Sequence, residues 1–275
     1  MIEVSGLRHR FGDVDVLDDL SLHVPPGSFT GLVGPSGCGK STVLRVLAGL
    51  LVPDAGTVTI DGRSVVGAPG GTAYMPQRDL LLPWRRALGN AVVGAEIAGT
   101  DRREAERQAR ALFDRFGLAG FEHAWPATLS GGMRQRLALL RTFLCGRDVL
   151  LLDEPFGALD AITRRDMHGW LQQVLADDPR TVLLVTHDIE EALVLCDEVV
   201  VLSDRPARIV ERLPVRLPRP RGTDVVTDKR FVDDKATLLA ALERGRGAQA
   251  PAVSSLRRRS DRRRSRRPGR RRYGC

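Results

Sequence analysis

Short apolar stretches bounded by Gly, Pro or Asp alternate with helix-like segments along this 275-residue chain, which predicts an α/β fold. Two further observations support it. The runs VLLLD (149–153) and TVLLVT (181–186) are apolar without alternation, as expected of strands covered on both faces by helices. A hydrophobic share of 43% also supplies enough apolar surface for a substantial core.

In chain order, the strand-like stretches are LSLHV (20–24), FTGLVG (29–34), GTVTI (56–60), TAYM (72–75), VLLLD, TVLLVT and EVVVL (198–202). The first 30 residues or so hold strands without intervening helices and read as an antiparallel addition at one side. From Arg102 the pattern changes: Ala105, Ala109, Leu112, Phe113 and Phe116 recur at helical spacing with charges between them. Residues 79–147 therefore read as a mostly helical insertion between two halves of the sheet. After Pro214 the stretch LPVRLPRPRG is rich in Pro and Arg, so the main domain is expected to span 1–215, with a linker and one short helix (237–245) in 216–256. From Gly245 onward little could bury surface, and disorder is expected. No internal repeat is present.

The formal charge of +8 ordinarily points to nucleic acid or an anionic surface. Its distribution argues otherwise. Residues 257–275 carry 11 Arg and one Asp, a net of +10, leaving 31 basic and 33 acidic groups, a net of −2, on the other 256 residues. Cys38, Cys145, Cys196 and Cys275 share no metal-ligand or redox spacing, and no disulfide framework is suggested. The N-terminus shows no signal-peptide pattern and no stretch has the length of apolar residues a membrane span needs, so the chain is expected to be neither secreted nor membrane-spanning by itself.

The chemistry concentrates after the FTGLVG strand. Gly34-Pro35-Ser36-Gly37-Cys38-Gly39-Lys40-Ser41-Thr42 follows that strand and opens a helical segment, matching the G-x-x-x-x-G-K-[ST] phosphate loop in its proper context. Glycines let successive amides face a phosphate, and the helix start adds its positive end. Lys40 would sit on the β and γ phosphates and the Ser41 hydroxyl on Mg²⁺. Only three of the 42 basic residues are lysines, and one occupies this position. Cys38 would contribute its amide; a reactive thiol near the helix start is the alternative.

VLLLDEP (149–155) ends in two adjacent carboxylates. Asp153 fits the acid that holds Mg²⁺, and Glu154 the general base that polarises an attacking water. Just upstream, Leu129-Ser130-Gly131-Gly132 opens a helix about 20 residues before LLLDEP. A Ser-Gly-Gly turn at a helix start is a second anion-binding nest.

LSGG in register with the phosphate loop and the LLLDEP strand resembles the signature of ATP-binding cassette (ABC) ATPases. The resemblance covers residues 1 to about 215 and implies a RecA-like P-loop NTPase core, ATP and Mg²⁺, and a dimer. In it, Ser130, Gly131 and Gly132 act in trans, on the nucleotide held by the partner's phosphate loop. Phe11 matches the aromatic that stacks on adenine, with Phe where Tyr is common. Gln77 matches the glutamine that touches Mg²⁺ and the attacking water. Ala158-Leu159-Asp160 matches the loop that communicates across the dimer. His187, 33 residues after Glu154, matches the switch histidine on the γ-phosphate. Met133 departs from the commoner Gln after LSGG.

LLPWR after Gln77, together with LSGGMRQR, resembles the ATPase subunits of nitrate, sulfonate, taurine and pyrimidine-precursor importers. That implies integral membrane permease partners, an extracytoplasmic solute-binding protein reached indirectly, and a place at the cytoplasmic face of the membrane. Leu82, Pro83 and Trp84 are the candidates for the permease contact; packing within the helical insertion is their alternative. A non-transport ABC ATPase acting on nucleic acid or ribosomes has only the Arg-rich segment in its favour, and no nucleic-acid partner is expected. A small-molecule kinase leaves LSGG, Gln77 and His187 unexplained.

Overall fold

The computed structural model describes residues 1–247. Two sheets carry the fold. The first is antiparallel, built from β1 (Ile2–Phe11), β2 (Val14–Val24), β4 (Ala55–Ile60) and β5 (Arg63–Ser64) in the order β2-β1-β4-β5. The second has six strands, β10 (Ile209–Pro214), β9 (Glu198–Leu202), β3 (Phe29–Val33), β8 (Thr181–Thr186), β7 (Val149–Asp153) and β6 (Ala73–Met75), in that spatial order. All of its neighbours are parallel except the edge strand β10.

Non-alternating apolar runs are explained by two cores on opposite faces of this sheet. Leu150, Leu152, Val182, Leu184, Val199 and Val201 enter one core, while Val149, Leu151, Leu183, Val185 and Val200 enter the other. Every residue of β7 and β8 is thereby buried. The second core also receives Val43, Leu44 and Leu47 of α1 (Lys40–Leu47) and the inward residues of β1 and β2. Removing such groups from water is the main driving force for the fold, about 25 cal/mol per Å².

Between β6 and β7 the chain builds α2 (Ala87–Ala91), α3 (Val93–Ile97), α4 (Arg102–Phe113) and α5 (Gly131–Phe143), yet the two strands pair directly, Ala73 opposite Leu150. In α4, Ala105, Ala109 and Phe113 face inward, and the Asp101 carboxylate caps its first turn through the amides of Arg103 and Glu104. After β7 come α6 (Ala161–Asp177) and, between β8 and β9, α7 (Ile189–Leu195).

The segment after β10 departs from the expected linker. Val215, Leu217 and Arg221 are buried, and α8 runs Lys229–Gly247, beginning eight residues before the short helix read from the sequence and continuing through Gly245. The physical reason is Arg221. Its guanidinium donates to the carbonyls of Leu193 at 2.7 Å, Cys196 at 2.5 Å and Leu217 at 3.1 Å, satisfying the C-terminal end of α7. Phe231, Leu238 and Ala241 then seal α8 against the core. The Arg-rich stretch 257–275 lies outside the described residues. Among those described, no helix is long and apolar enough to cross a membrane.

Candidate functional site

Sheet register brings the motifs to one edge. Val33 pairs with Thr186 and Asp153 with Val185, so the loops leaving β3, β7 and β8 emerge side by side at the carboxyl ends of parallel strands. β6, paired at Met75 with Leu152, places Gln77 beside them.

Residues 34–39 wrap back over the start of α1. Gly39 has φ of 123°, and a Cβ there would lie 2.9 Å from Leu17 Cδ2, so only glycine fits. Lys40 is buried and its Nζ donates to the carbonyls of Gly34 and Pro35, each at 2.8 Å. The ammonium is thus held within the arc of its own loop, next to the free amides at the start of α1. Ser41, on the first turn, donates from Oγ to Asp153 Oδ1 at 3.0 Å.

Asp153 is buried, and its Oδ2 accepts from the Tyr74 hydroxyl at 3.3 Å. Burial pushes its carboxyl up, opposed by the hydrogen bonds from Ser41 and Tyr74. Burial and the neighbouring Asp153 push the Tyr74 phenol up to about 12, which keeps it a donor. Tyr74 carries no motif, and only its place on a strand beside β7 reveals it.

Glu154 adopts φ of 47°, in the left-handed region, while its amide donates to Val185 O at 2.8 Å. Such a backbone costs on the order of 1 kcal/mol or more in a non-glycine residue. The kink breaks the strand at the junction of the two acids, separating the surroundings of Asp153 and Glu154. Glu154 Oε2 accepts from Gln77 Nε2 at 3.0 Å and lies 3.2 Å from His187 Nδ1. Three residues separated by up to 110 positions thus meet at one oxygen.

These groups line a cleft of about 430 Å³ together with Phe11, Ser36, Gly37, Thr42 and Arg205. Phe11 is 47% exposed and held edge-on to His9, ring centroids 4.5 Å apart, leaving a free aromatic face. Arg205 belongs to no motif recognised in the sequence. Cys38 is buried, and desolvation raises its thiol pKa, so the reactive-thiol alternative is not supported. A larger cavity of about 500 Å³, around His168 and Glu191, includes none of the motif residues. Size alone does not mark the site.

Ser130, Gly131, Gly132 and Asp160 lie outside the cleft. Ser130 caps α5, its Oγ accepting from the Met133 amide at 3.2 Å, and Asp160 caps α6 in the same manner. The Thr163 hydroxyl, donating to Asp160 at 2.7 Å, helps to hold that carboxyl below its ordinary range. The start of α5 is tied to the segment after Gln77: Arg134 bridges Asp79 at 3.3 Å and Leu129 O at 2.7 Å, and Arg141 donates to the carbonyls of Asp79 and Leu80. Nearby, Asn90 closes a turn over Leu82, and Trp84 is left 71% exposed.

A phosphate loop, a buried acid beneath it, an outward-kinked carboxylate and a separate Ser-Gly-Gly helix start define an ATP-hydrolysing cassette. The ABC transporter family model matches residues 17–157, and the chain belongs to that family. It is 52% identical over 223 residues to the aliphatic sulfonates import ATP-binding protein SsuB 1 of Rhodococcus jostii (strain RHA1), covering 80% of this chain and 86% of that protein. It is 43% identical over 213 residues to the taurine import ATP-binding protein TauB of Yersinia pestis bv. Antiqua (strain Antiqua), covering 78% and 84%. Among solved structures, the dimeric bacterial ABC transporter cassette MJ0796 superposes with a TM-score of 0.69 at 26% identity, covering 79% of this chain and all of that one. A post-hydrolysis dimer of the same cassette, bound to ADP and Pi, gives 0.70 at 25% identity with the same coverage.

Proposed function

We propose that the chain energises import of a small solute of the sulfonate class through separate membrane permease subunits, working as a dimer at the cytoplasmic face of the membrane. The sulfonate and taurine import roles of the relatives and the dimeric state of the structural neighbours support this reading. Residues 34–42 cradle the ATP phosphates, with Lys40 on the β and γ groups and Phe11 against the adenine. Ser41, Asp153 and Gln77 offer oxygen donors of the hard kind that Mg²⁺ takes, and few protein ligands suffice for an ion that also binds phosphates. Bound there, Mg²⁺ would neutralise charge on the β and γ oxygens.

The observation that carries the mechanism is the convergence of Gln77 and His187 on Glu154 Oε2. Glu154 accepts the proton of an attacking water, while Gln77 and His187 orient that carboxylate and the γ-phosphate. Ser130, Gly131 and Gly132 of one protomer close over the phosphates held by the other, and Asp160 lies at the same junction. Leu82, Pro83 and Trp84 face the permease. Closure then draws the docked permease subunits together, and hydrolysis releases them.

Glu154→Gln keeps the Gln77 hydrogen bond and the approach of His187 possible but removes the base. Hydrolysis should fall at least 100-fold while ATP still binds, and gel filtration with ATP should show a stable dimer. Turnover at the parent rate would remove Glu154 from this role.

A further inference from the structure

An arginine on a surface loop is ordinarily a solvated charge. Arg205 differs in where it is held and in what it lacks. It lines the nucleotide cleft, with Nη2 4.0 Å from the position a Cβ would take on Gly37, in the middle of the phosphate loop. Among the described residues it has no hydrogen-bond or ion-pair partner. By contrast, Arg208, three residues on, is paired with Asp18.

The loop beneath Arg205 is braced. Ser203 N donates to Arg208 O at 2.9 Å, and Arg208 N returns a hydrogen bond to Ser203 Oγ at 3.0 Å. Ala207 N donates to Val16 O at 2.8 Å and Ala207 O accepts from Asp18 N at 3.2 Å, locking the loop to β2. Asp204 N donates to Gly245 O of α8 at 3.2 Å. A loop fixed on three sides pays little ordering cost when its side chain meets a ligand.

Charge gives that side chain its task. The other charged groups are Lys40, whose ammonium is already shared by two loop carbonyls, and Glu154, which line the cleft, and Asp153, buried just beneath it against Ser41. Without Arg205 this set sums to −1. A nucleoside triphosphate is a strong polyanion, and a guanidinium can donate two parallel hydrogen bonds to phosphate oxygens.

We propose that Arg205 is a nucleotide-binding residue, its guanidinium pairing across the phosphate loop with the terminal phosphates of bound ATP. This rests on the ATP site described above and adds to it a cation outside the family's motifs. Arg205 closes the loop from the solvent side while Lys40 holds it from within.

The test is equilibrium binding of ATP, ADP and AMP to the full chain carrying Arg205→Gln, Arg205→Lys or Lys40→Ala, at low and high salt. Arg205→Gln should weaken ATP about three- to tenfold, roughly 0.6–1.4 kcal/mol, ADP less and AMP not at all. Arg205→Lys should recover part of the loss, and high salt should shrink it. Unchanged ATP affinity in Arg205→Gln, with binding lost in Lys40→Ala, would remove Arg205 alone. Equal losses for ATP and AMP would overturn the phosphate contact, since they would mean that the loop had only lost its shape. Normal ATP binding in Lys40→Ala would take the whole nucleotide site with it.

Discussion

Among the described residues, the helix starts of α1 and α5 are the two that we propose bind phosphate, and they differ in how far they are assembled. At the start of α1, Lys40, Ser41, Asp153, Gln77, Glu154 and His187 are already joined by hydrogen bonds or lie within ion-pair distance. At the start of α5, Ser130 is exposed, caps only its own helix and lies outside the cleft. The first is a finished half, and among the described residues the second meets no counterpart. A free helix N-terminus carries roughly half a positive charge and unpaired amides, a surface suited to a phosphate brought from outside. In the proposed dimer, two chains placed head to tail would supply each start with the other's missing half.

The largest expected effect comes from breaking each half separately. Lys40→Ala should abolish ATP binding. Gly131→Asp should leave it intact, because a Cβ at Gly131 meets nothing closer than Leu159 Cδ2 at 3.7 Å and an acid in a first helical turn is tolerated. It would, however, set a negative charge against the partner's phosphates and stop hydrolysis. Neither variant alone should turn over ATP; mixed, they should regain activity, since the mixed dimer holds one intact composite site. No regain on mixing, with both proteins folded, would break the comparison, and activity in Gly131→Asp alone would show that the first half suffices.

How much of this was legible in the sequence follows the range of the interactions. The phosphate loop, the Asp153-Glu154 pair and the Ser130 nest are contiguous, so residue types at fixed spacing carry their chemistry. Tyr74, Arg205 and the Asp79–Arg134 bridge act across strands or loops, and nothing local marks them. The stretch after Pro214 misled because its anchor is charged. Composition counts Arg221 as solvent-seeking, yet here it caps α7 through backbone carbonyls and is 4% exposed. Six of the first nine residues of α8 are polar, and Phe231 is the one large buried apolar residue among them, so helical periodicity is weak there. His187 stands out by its spacing from Glu154, but the convergence of His187 and Gln77 on that carboxylate depends on strand order.

A smaller effect sharpens the contrast between function and stability within the finished half. Burial raises the Asp153 pKa above its unfolded value, so the fold favours the protonated form. Stability from this group is therefore greatest below the unfolded pKa and declines as pH rises through the folded one. Above the folded value the full cost is present. Asp153→Asn should raise the melting temperature of the nucleotide-free protein by about 2–4 °C for each kcal/mol recovered, and flatten the decline in stability above the ordinary carboxylate range. It should also abolish Mg²⁺-dependent hydrolysis. A lower melting temperature would mean that the Ser41 and Tyr74 hydrogen bonds outweigh the burial cost.

The smallest effect concerns the Arg-rich stretch 257–275, which supplies +10 of charge to a body of −2. If that charge drew ATP to the cleft by long-range attraction, removing it would raise KM, most steeply at low salt. Attraction of that kind acts on encounter, whereas the groups proposed to bind ATP, the loop amides, Lys40 and the groups around Glu154, all lie within residues 1–247. Hydrolysis also depends on events after binding, which screened charges do not reach. Deleting 257–275 should therefore leave kcat unchanged and KM for ATP within about twofold at physiological ionic strength, where the Debye length is about 8 Å. A large loss of kcat on deletion would place part of the catalytic machinery beyond the two helix starts, and the division into two half-sites would no longer describe the enzyme.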